Sequence, residues 1–376
     1  MKADGMRTFR YMRHDTLVAT EASAHMQWLR DCVEPHFCSE AARDGDWRVT
    51  FSADPELFLA VMTKRVHMRE VTVPFFTLDT RLVVLSRWNA VDAEEIVAYD
   101  EEFDVFFTVR PARREVDVLA RDLRPWGRVA LLRVVRELAM QEAVAENGVF
   151  LHAAAFERDG VAYVIAGPKN SGKTTLLIHA LTCAGGRFVA NDRVLLLRSA
   201  EGYAVRGMPT LVGVRAGTRR SFARFFDPHH FGPDSGCLTR EEREVEQRDV
   251  ATRPEDALIL NPSQFAEALG TTSSTGGRLG AILFPAVSVA ANDVELGELP
   301  IDAAHNLLAS ALFPTLAPYG STSAFGRSLW DASAERELQA RVEAERIPLL
   351  SCALGPCAYE RGATAWLDQL QSRAGA

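Results

Sequence analysis

Eight consecutive residues, Gly167-Pro168-Lys169-Asn170-Ser171-Gly172-Lys173-Thr174, meet every fixed position of the pattern G-x-x-x-x-G-K-[ST]. Such a loop works only between a buried strand and a helix, because its backbone N–H groups must converge on a phosphate at the positive end of that helix. The flanks satisfy this demand. Val161-Ala162-Tyr163-Val164-Ile165-Ala166 is an apolar run of strand length, and Thr175 to Leu181 reads as the helix behind the loop. Upstream, Val149 to Phe156 is a second apolar strand, joined to the first by the turn Arg158-Asp159-Gly160. The loop therefore commits this part of the chain to an α/β arrangement.

The chemistry of the loop assigns roles. Gly167, Pro168, Lys169, Asn170, Ser171, Gly172, Lys173 and Thr174, with Thr175 behind them, form the expected nucleotide-binding set. Lys173 reaches the β- and γ-phosphate oxygens, and the Thr174 hydroxyl is a ligand for Mg²⁺. After the helix, Arg187-Phe188-Val189-Ala190 reads as a short strand ending at Asn191-Asp192-Arg193. A carboxylate there, Asp192, faces either the metal or the group that attacks the γ-phosphate. The plainer alternative is an aspartate that caps a turn. Asn191 can hydrogen-bond a phosphate or a water but cannot act as a base at neutral pH.

Together these pieces resemble the catalytic domain of the HPr kinase/phosphorylase family. In that family a histidine-bearing strand precedes the phosphate loop, a V-A-D-D-x-V segment follows its helix, and a V-R-G segment comes further on. Here His152, Gly167 to Thr174, Val189-Ala190-Asn191-Asp192-Arg193-Val194 and Val205-Arg206-Gly207 fall in that order at similar spacing. By motif the resemblance covers roughly residues 148 to 220. It departs from the family at two acids: Asn191 stands for the first aspartate of the pair, and Ala204 for a glutamate ahead of V-R-G. Neither the reverse, phosphorolytic reaction nor HPr as substrate is therefore implied. Gly207-Met208-Pro209-Thr210, with Ala216-Gly217-Thr218 after it, is more similar to the divergent HPr-kinase-like enzymes of lasso-peptide and secondary-metabolite pathways.

The resemblance implies a kinase that uses ATP and Mg²⁺, with Asp192, Lys173, His152 and Arg206 as catalytic residues and Thr174 and Asp192 at the metal. The implied acceptor is a hydroxyl, a Ser or Thr of a small protein or precursor peptide. The alternatives are a small-molecule hydroxyl, or a nucleotide-binding switch in which Asn191 marks lost catalysis. His152 also reads as a hydrogen-bonded core histidine on an apolar strand, and Arg206 as a partner of a surface acid.

Before the loop, residues 1–125 mix short strands and helices and carry no chemical motif. Trp47 to Phe51 alternates as a half-buried strand, Glu56 to Met62 reads as a helix, and Arg81–Ser86, Glu95–Tyr99 and Val105–Val109 read as strands. They form an expected recognition or oligomerisation domain, compatible with a homo-oligomer. Pro125-Trp126 opens a helix over 126–147 with Val129, Leu132, Val135, Leu138, Ala139 and Ala143 on its buried face, closed by Asn147-Gly148. The expected plan is α/β: a smaller α/β domain (α+β in its N-terminal part), then an HPr-kinase-like phosphate-loop domain over 126–376 with a mixed sheet.

Composition enters as exclusion. With 42 Lys and Arg against 50 Asp and Glu, the 376-residue chain carries a formal charge of −8, the wrong sign for holding a long nucleic acid by its phosphates. The N-terminus lacks the apolar core of a signal peptide. Residues Ala303 to Gly326 carry no Asp, Glu, Lys or Arg, but Pro314, Pro318 and Gly320 would break a lipid-facing helix there, so a buried helix followed by a loop is expected. Six scattered cysteines suit neither a disulfide scaffold nor, at Cys32-x3-His36-x-Cys38, a metal site lacking its second ligand pair. A cytoplasmic protein with no membrane partner is the expectation. Between Thr218 and Arg253 the text turns polar, with His229-His230 and a charged run from Arg240 to Arg248, and reads as a lid or docking segment, or as a solvated helix.

Overall fold

A computed structural model describes residues 5–65, 69–73, 83–87, 95–100, 103–123, 125–183, 185–200, 202–226, 258–312, 338, 342, 346–356 and 365–374. The chain divides into two compact units, Met1–Glu146 and Asn147–Phe313 with Asp331–Ala376. Each is mixed α/β. The histidine pair 229–230, the charged run 240–248, and Cys237 and Cys357 lie outside the described residues, as do most of residues 335–345, whose sequence reads as a closing helix.

The first unit runs β1 (Met6–Tyr11), β2 (His14–Thr20), α1 (Ser23–Val33), β3 (Cys38–Ala41), β4 (Trp47–Ala53), α2 (Pro55–Arg65), β5 (Arg69–Val73), β6 (Val83–Arg87), β7 (Ile96–Asp100), β8 (Val105–Arg110), β9 (Glu115–Ala120) and α3 (Pro125–Ala145). Its described strands form one sheet in the order β3-β1-β2-β4-β9-β8-β7-β6-β5. Strand β4 joins two antiparallel blocks by pairing in parallel with β2 and β9, Val49 lying beside Val18 on one side and Val116 on the other. Its alternation is the expected one: Trp47, Val49 and Phe51 are buried while Arg48 and Ser52 face out. Helix α3 packs on α1, β2, β4 and β9. Its expected apolar stripe is buried, but so are Ala130, Leu131, Val134 and Met140, so the helix is enclosed on more than one side. It ends before Asn147, whose φ of +62° is the left-handed turn the Asn-Gly pair predicted.

The second unit runs β10 (Val149–Arg158), β11 (Val161–Ala166), α4 (Lys173–Cys183), β12 (Arg187–Ala190), β13 (Arg193–Ser199), β14 (Gly202–Gly207), β15 (Val212–Val214), α5 (Ala216–Ser221), β16 (Leu258–Leu260), α6 (Pro262–Ala268), β17 (Gly276–Val287), β18 (Val294–Glu298), α7 (Ile301–Ala311), β19 (Leu349–Leu354) and α8 (Ala365–Ala374). The main sheet has the order β11-β10-β13-β14-β17-β19-β18, with β12 also on β10. Long β17 pairs with β14 at its start and with β11 along its middle, which closes β11-β10-β13-β14-β17 into a ring. Strand β17 begins earlier than its apolar run, Ala281 to Phe284, predicts, because Gly276 and Gly277 are recruited by backbone pairing with Arg206 and Val205.

Alternation in these strands builds two cores. Ala154, Phe156, Tyr163 and Ile165 meet Leu176, Leu177 and Ile178 of α4 on one face. On the other, Leu151, Ala153, Val164, Val194 and Val205 meet Leu308 and Ala311 of α7. Cys352 is buried in the first core, which pushes its thiol up to about 12 and fits an inert filler. Helix α7 stands where a buried helix is expected, but it buries one face only, through Ala304, Leu308 and Ala311, and leaves Ile301 51% exposed, because it lies on the sheet with its other face outward; the loop expected after it lies outside the described residues. No helix among the described residues is long and apolar enough to cross a membrane.

Candidate functional site

The loop leaves β11 at Ala166 and enters α4 at Lys173. Gly167, Asn170 and Gly172 take positive φ of +146°, +69° and +104°. At Gly172 a side chain would also bring its Cβ to 2.5 Å from Leu354 Cδ1, so both backbone and space require glycine. Pro168, Lys169 and Asn170 are exposed, whereas Thr175 is buried on α4. Ser171 Oγ is buried with no hydrogen-bond partner among the described residues, a polar atom that a phosphate oxygen would satisfy.

Lys173 Nζ donates to the carbonyls of Gly167 at 2.7 Å and Pro168 at 3.1 Å. Burial pushes its pKa below the ordinary lysine value; Asp192 opposes that shift and Arg215 adds to it. Lys173 thus lies within the field of one carboxylate and one further cation.

One flank of the loop carries the reactive groups. Thr174 Oγ1 donates to Asn191 Oδ1 at 3.3 Å. Asn191 and Asp192 form the tight connection between β12 and β13, and the Asp192 carbonyl accepts from Ala153 N at 3.2 Å, tying that turn to β10. His152 Nε2 lies 3.2 Å from Asp192 Oδ1, and Arg193 Nε lies 3.5 Å from Oδ2. His152 is the exposed position of an otherwise apolar strand interior, its side chain 48% accessible. It is therefore not the core histidine of the plainer reading. The ladder explains the pairing: His152 is the register partner of Arg193, which places it beside the residue that follows Asp192.

Arg206 is placed differently. It pairs with Leu195 in the ladder, so it shares the sheet face of Arg193 and His152, two strands away. Its guanidinium donates to Thr275 Oγ1 at 2.9 Å, and among the described residues it pairs neither with Asp192 nor with an acid. Arg215 was not legible in the sequence. It precedes α5, donates to Asn170 Oδ1 at 2.7 Å, and has no carboxylate partner among the described residues. Only its place ahead of a short helix hinted at it, since no motif spans the distance from Thr174 to Arg215. The roles of Asn191 as acceptor for Thr174, and of Arg193 beside Asp192, also emerge only in three dimensions.

The oxygen donors of this flank fit Mg²⁺. Thr174, Asn191 and Asp192 carry hydroxyl, amide and carboxylate oxygens, the hard donors from which Mg²⁺ takes one or two before completing its shell with phosphate oxygens and water.

No protein-family model matches the chain, and a search of curated proteins finds no similar sequence.

Proposed function

We propose that the chain is an ATP-dependent kinase, a divergent relative of the HPr kinase/phosphorylase family, that transfers the γ-phosphoryl group of ATP to a hydroxyl. The favoured acceptor is a serine or threonine of a small protein or precursor peptide. The observation that carries the reading is the His152–Asp192 pair, held at 3.2 Å on the flank where Thr174 meets Asn191.

ATP lies with its phosphates on Gly167 to Thr174. Lys173 turns its ammonium from the carbonyls of Gly167 and Pro168 to the β- and γ-phosphate oxygens, and Arg215 brings a second positive charge. Mg²⁺, held beside Thr174 and Asp192, neutralises phosphate charge when bound. The acceptor oxygen forms its bond to Pγ as the bond from Pγ to the bridging oxygen breaks, and ADP leaves with that electron pair. The hydroxyl proton passes to the Asp192 carboxylate, which His152 holds in place, while Ala153 N fixes the Asp192 backbone carbonyl. Use of ATP fits a cytoplasmic setting.

Asn191, an amide against Thr174 where the family has an acid, favours a second reading as a nucleotide-dependent switch. Intact-mass analysis separates the two. Candidate peptides and small proteins incubated with ATP, Mg²⁺ and the protein gain one phosphoryl mass on the kinase reading, and the gain is lost with Asp192→Asn. Gain on a metabolite alone moves the acceptor to a small-molecule hydroxyl. Transfer unchanged in both Asp192→Asn and Lys173→Ala would sink the assignment, and tight ATP binding with no acceptor in any pool would favour the switch.

A further inference from the structure

Strands β11, β17 and β19 run parallel and side by side, so their carboxyl ends open on one edge of the sheet. Ligands of α/β sheets sit beyond such ends. The phosphate loop occupies the end of β11. Its Thr174 side meets Asn191 and the His152–Asp192 pair, so the γ-phosphate faces that flank. The α-phosphate, ribose and base of an extended nucleotide then leave by the opposite flank, over the ends of β17 and β19.

That flank is built. A Cβ at Gly172 would lie 3.8 Å from Val287 Cγ2, and one at Gly167 would lie 3.9 Å from Pro285 Cδ, so the end of β17 borders the loop. Beyond it, residues 288–293 arch over the end of β19. Ser288 N donates to the Leu354 carbonyl at 3.0 Å, and Gly355 N to the Asp293 carbonyl at 2.9 Å. A Cβ at Gly355 would lie 2.3 Å from the Ala291 carbonyl oxygen, so glycine lets the arch settle on the strand end. Ala290 N donates to Ser288 Oγ and Asn292 N to Glu295 Oε1, both at 3.3 Å, and Ala291 is buried. Yet the crest of this pinned arch is Val289, 96% exposed, next to Val287 at 59%. Isolated exposed valines are ordinary. Here one of two, Val287, borders the loop, and Val289 follows two residues on along the braced backbone, so the pair offers apolar surface next to the phosphate site.

We infer that Val287 and Val289 form the nucleobase subsite, packing against one face of the base of the bound nucleoside triphosphate. The inference rests on the nucleotide site of the proposed kinase and adds the contact that distinguishes a nucleotide from a bare polyphosphate. Apolar burial of this size corresponds to about tenfold in affinity.

The test is calorimetric titration of the full chain with Mg·ATP and with Mg·tripolyphosphate. The wild-type protein binds ATP about tenfold more tightly than tripolyphosphate. In the Val287→Ser/Val289→Ser double variant that advantage shrinks to about twofold while tripolyphosphate affinity is unchanged. Should the double variant lose tripolyphosphate as well, Val289→Ser alone decides, since a side chain so exposed is not needed for folding, and its ATP advantage must still shrink. An ATP advantage that survives substitution overturns the subsite. Equal wild-type affinity for the two ligands overturns it too, and leaves the phosphate loop standing. Binding of neither ligand overturns both.

Discussion

Lys173 is a partly buried cation beside one acid and one further cation, and this sets a testable pH dependence. Its pKa is lowered by burial, and phosphate contact requires its charged form. As pH rises through that lowered pKa, the free protein gives up the proton, and binding must restore it. ATP affinity therefore falls on the alkaline side, starting below the ordinary lysine value of 10.5, and binding there takes up a proton, seen as a buffer-dependent heat in calorimetry. Arg215 is the second residue to test. Its guanidinium reaches Asn170 in the loop and has no acid partner among the described residues. Arg215→Ala lowers kcat by about 10- to 100-fold with a smaller change in KM, and Arg215→Lys restores part of the loss. A change in KM alone would reduce Arg215 to a brace for Asn170. At this scale Gly167 to Thr174 and Asp192 were legible because local spacing defines their geometry. Arg215 was not, because its contact with Asn170 depends on how β15 and α5 fold back.

Among the elements, the hairpin of β10 and β11 shows what patterning reads and what it misses. Asp159 and Gly160 take φ of +55° and +82°, the left-handed pair that a tight hairpin needs, and Arg158-Asp159-Gly160 announced it. Hidden beneath the turn is Glu157, fully buried, which accepts from Gly160 N through Oε1 and pairs with Arg187 of β12 through Oε2. Removing Arg187 leaves a buried carboxylate without its cation. Arg187→Ala lowers stability by about 3 kcal/mol, read from the urea midpoint, whereas Arg187→Lys loses less. An unchanged midpoint would mean that Gly160 N alone satisfies Glu157. No pattern in the sequence links Glu157 with Arg187, since the pair exists only once β12 returns antiparallel to β10.

On the scale of the molecule, the loop and every residue tied to it lie in the second unit. ATP at about 100 times its Kd stabilises that unit by about 2.7 kcal/mol. This raises its calorimetric transition by about 5–10 °C for a unit of this size. On the proposed function, Lys173→Ala abolishes the shift and Asp192→Asn keeps it, because the carboxylate would serve transfer more than nucleotide binding. Equal shifts in both variants would argue against these roles. The first unit shows the opposite side of legibility. Four of its strands were found singly, as at Trp47 to Phe51, whereas β1, β2, β3, β5 and β9 were not placed. The single sheet they build depends on parallel pairing of β4 with β2 and β9, for which the chain carries no local signal.

The amino-acid sequence by itself determined the loop at Gly167 to Thr174, the strand and helix around it, the hairpin turn and the α/β class. Each of these is governed by contacts between near neighbours: glycine conformations, apolar alternation and helix capping. Tertiary structure alone decided that His152 faces Asp192, that Arg206 turns to Thr275 while Arg215 reaches the loop, and that Val287 borders it. Those outcomes follow from strand register and from the order in which strands meet across the sheet. A one-residue slip in register would carry each side chain to the opposite face, and residue types alone do not encode which distant strand becomes a neighbour.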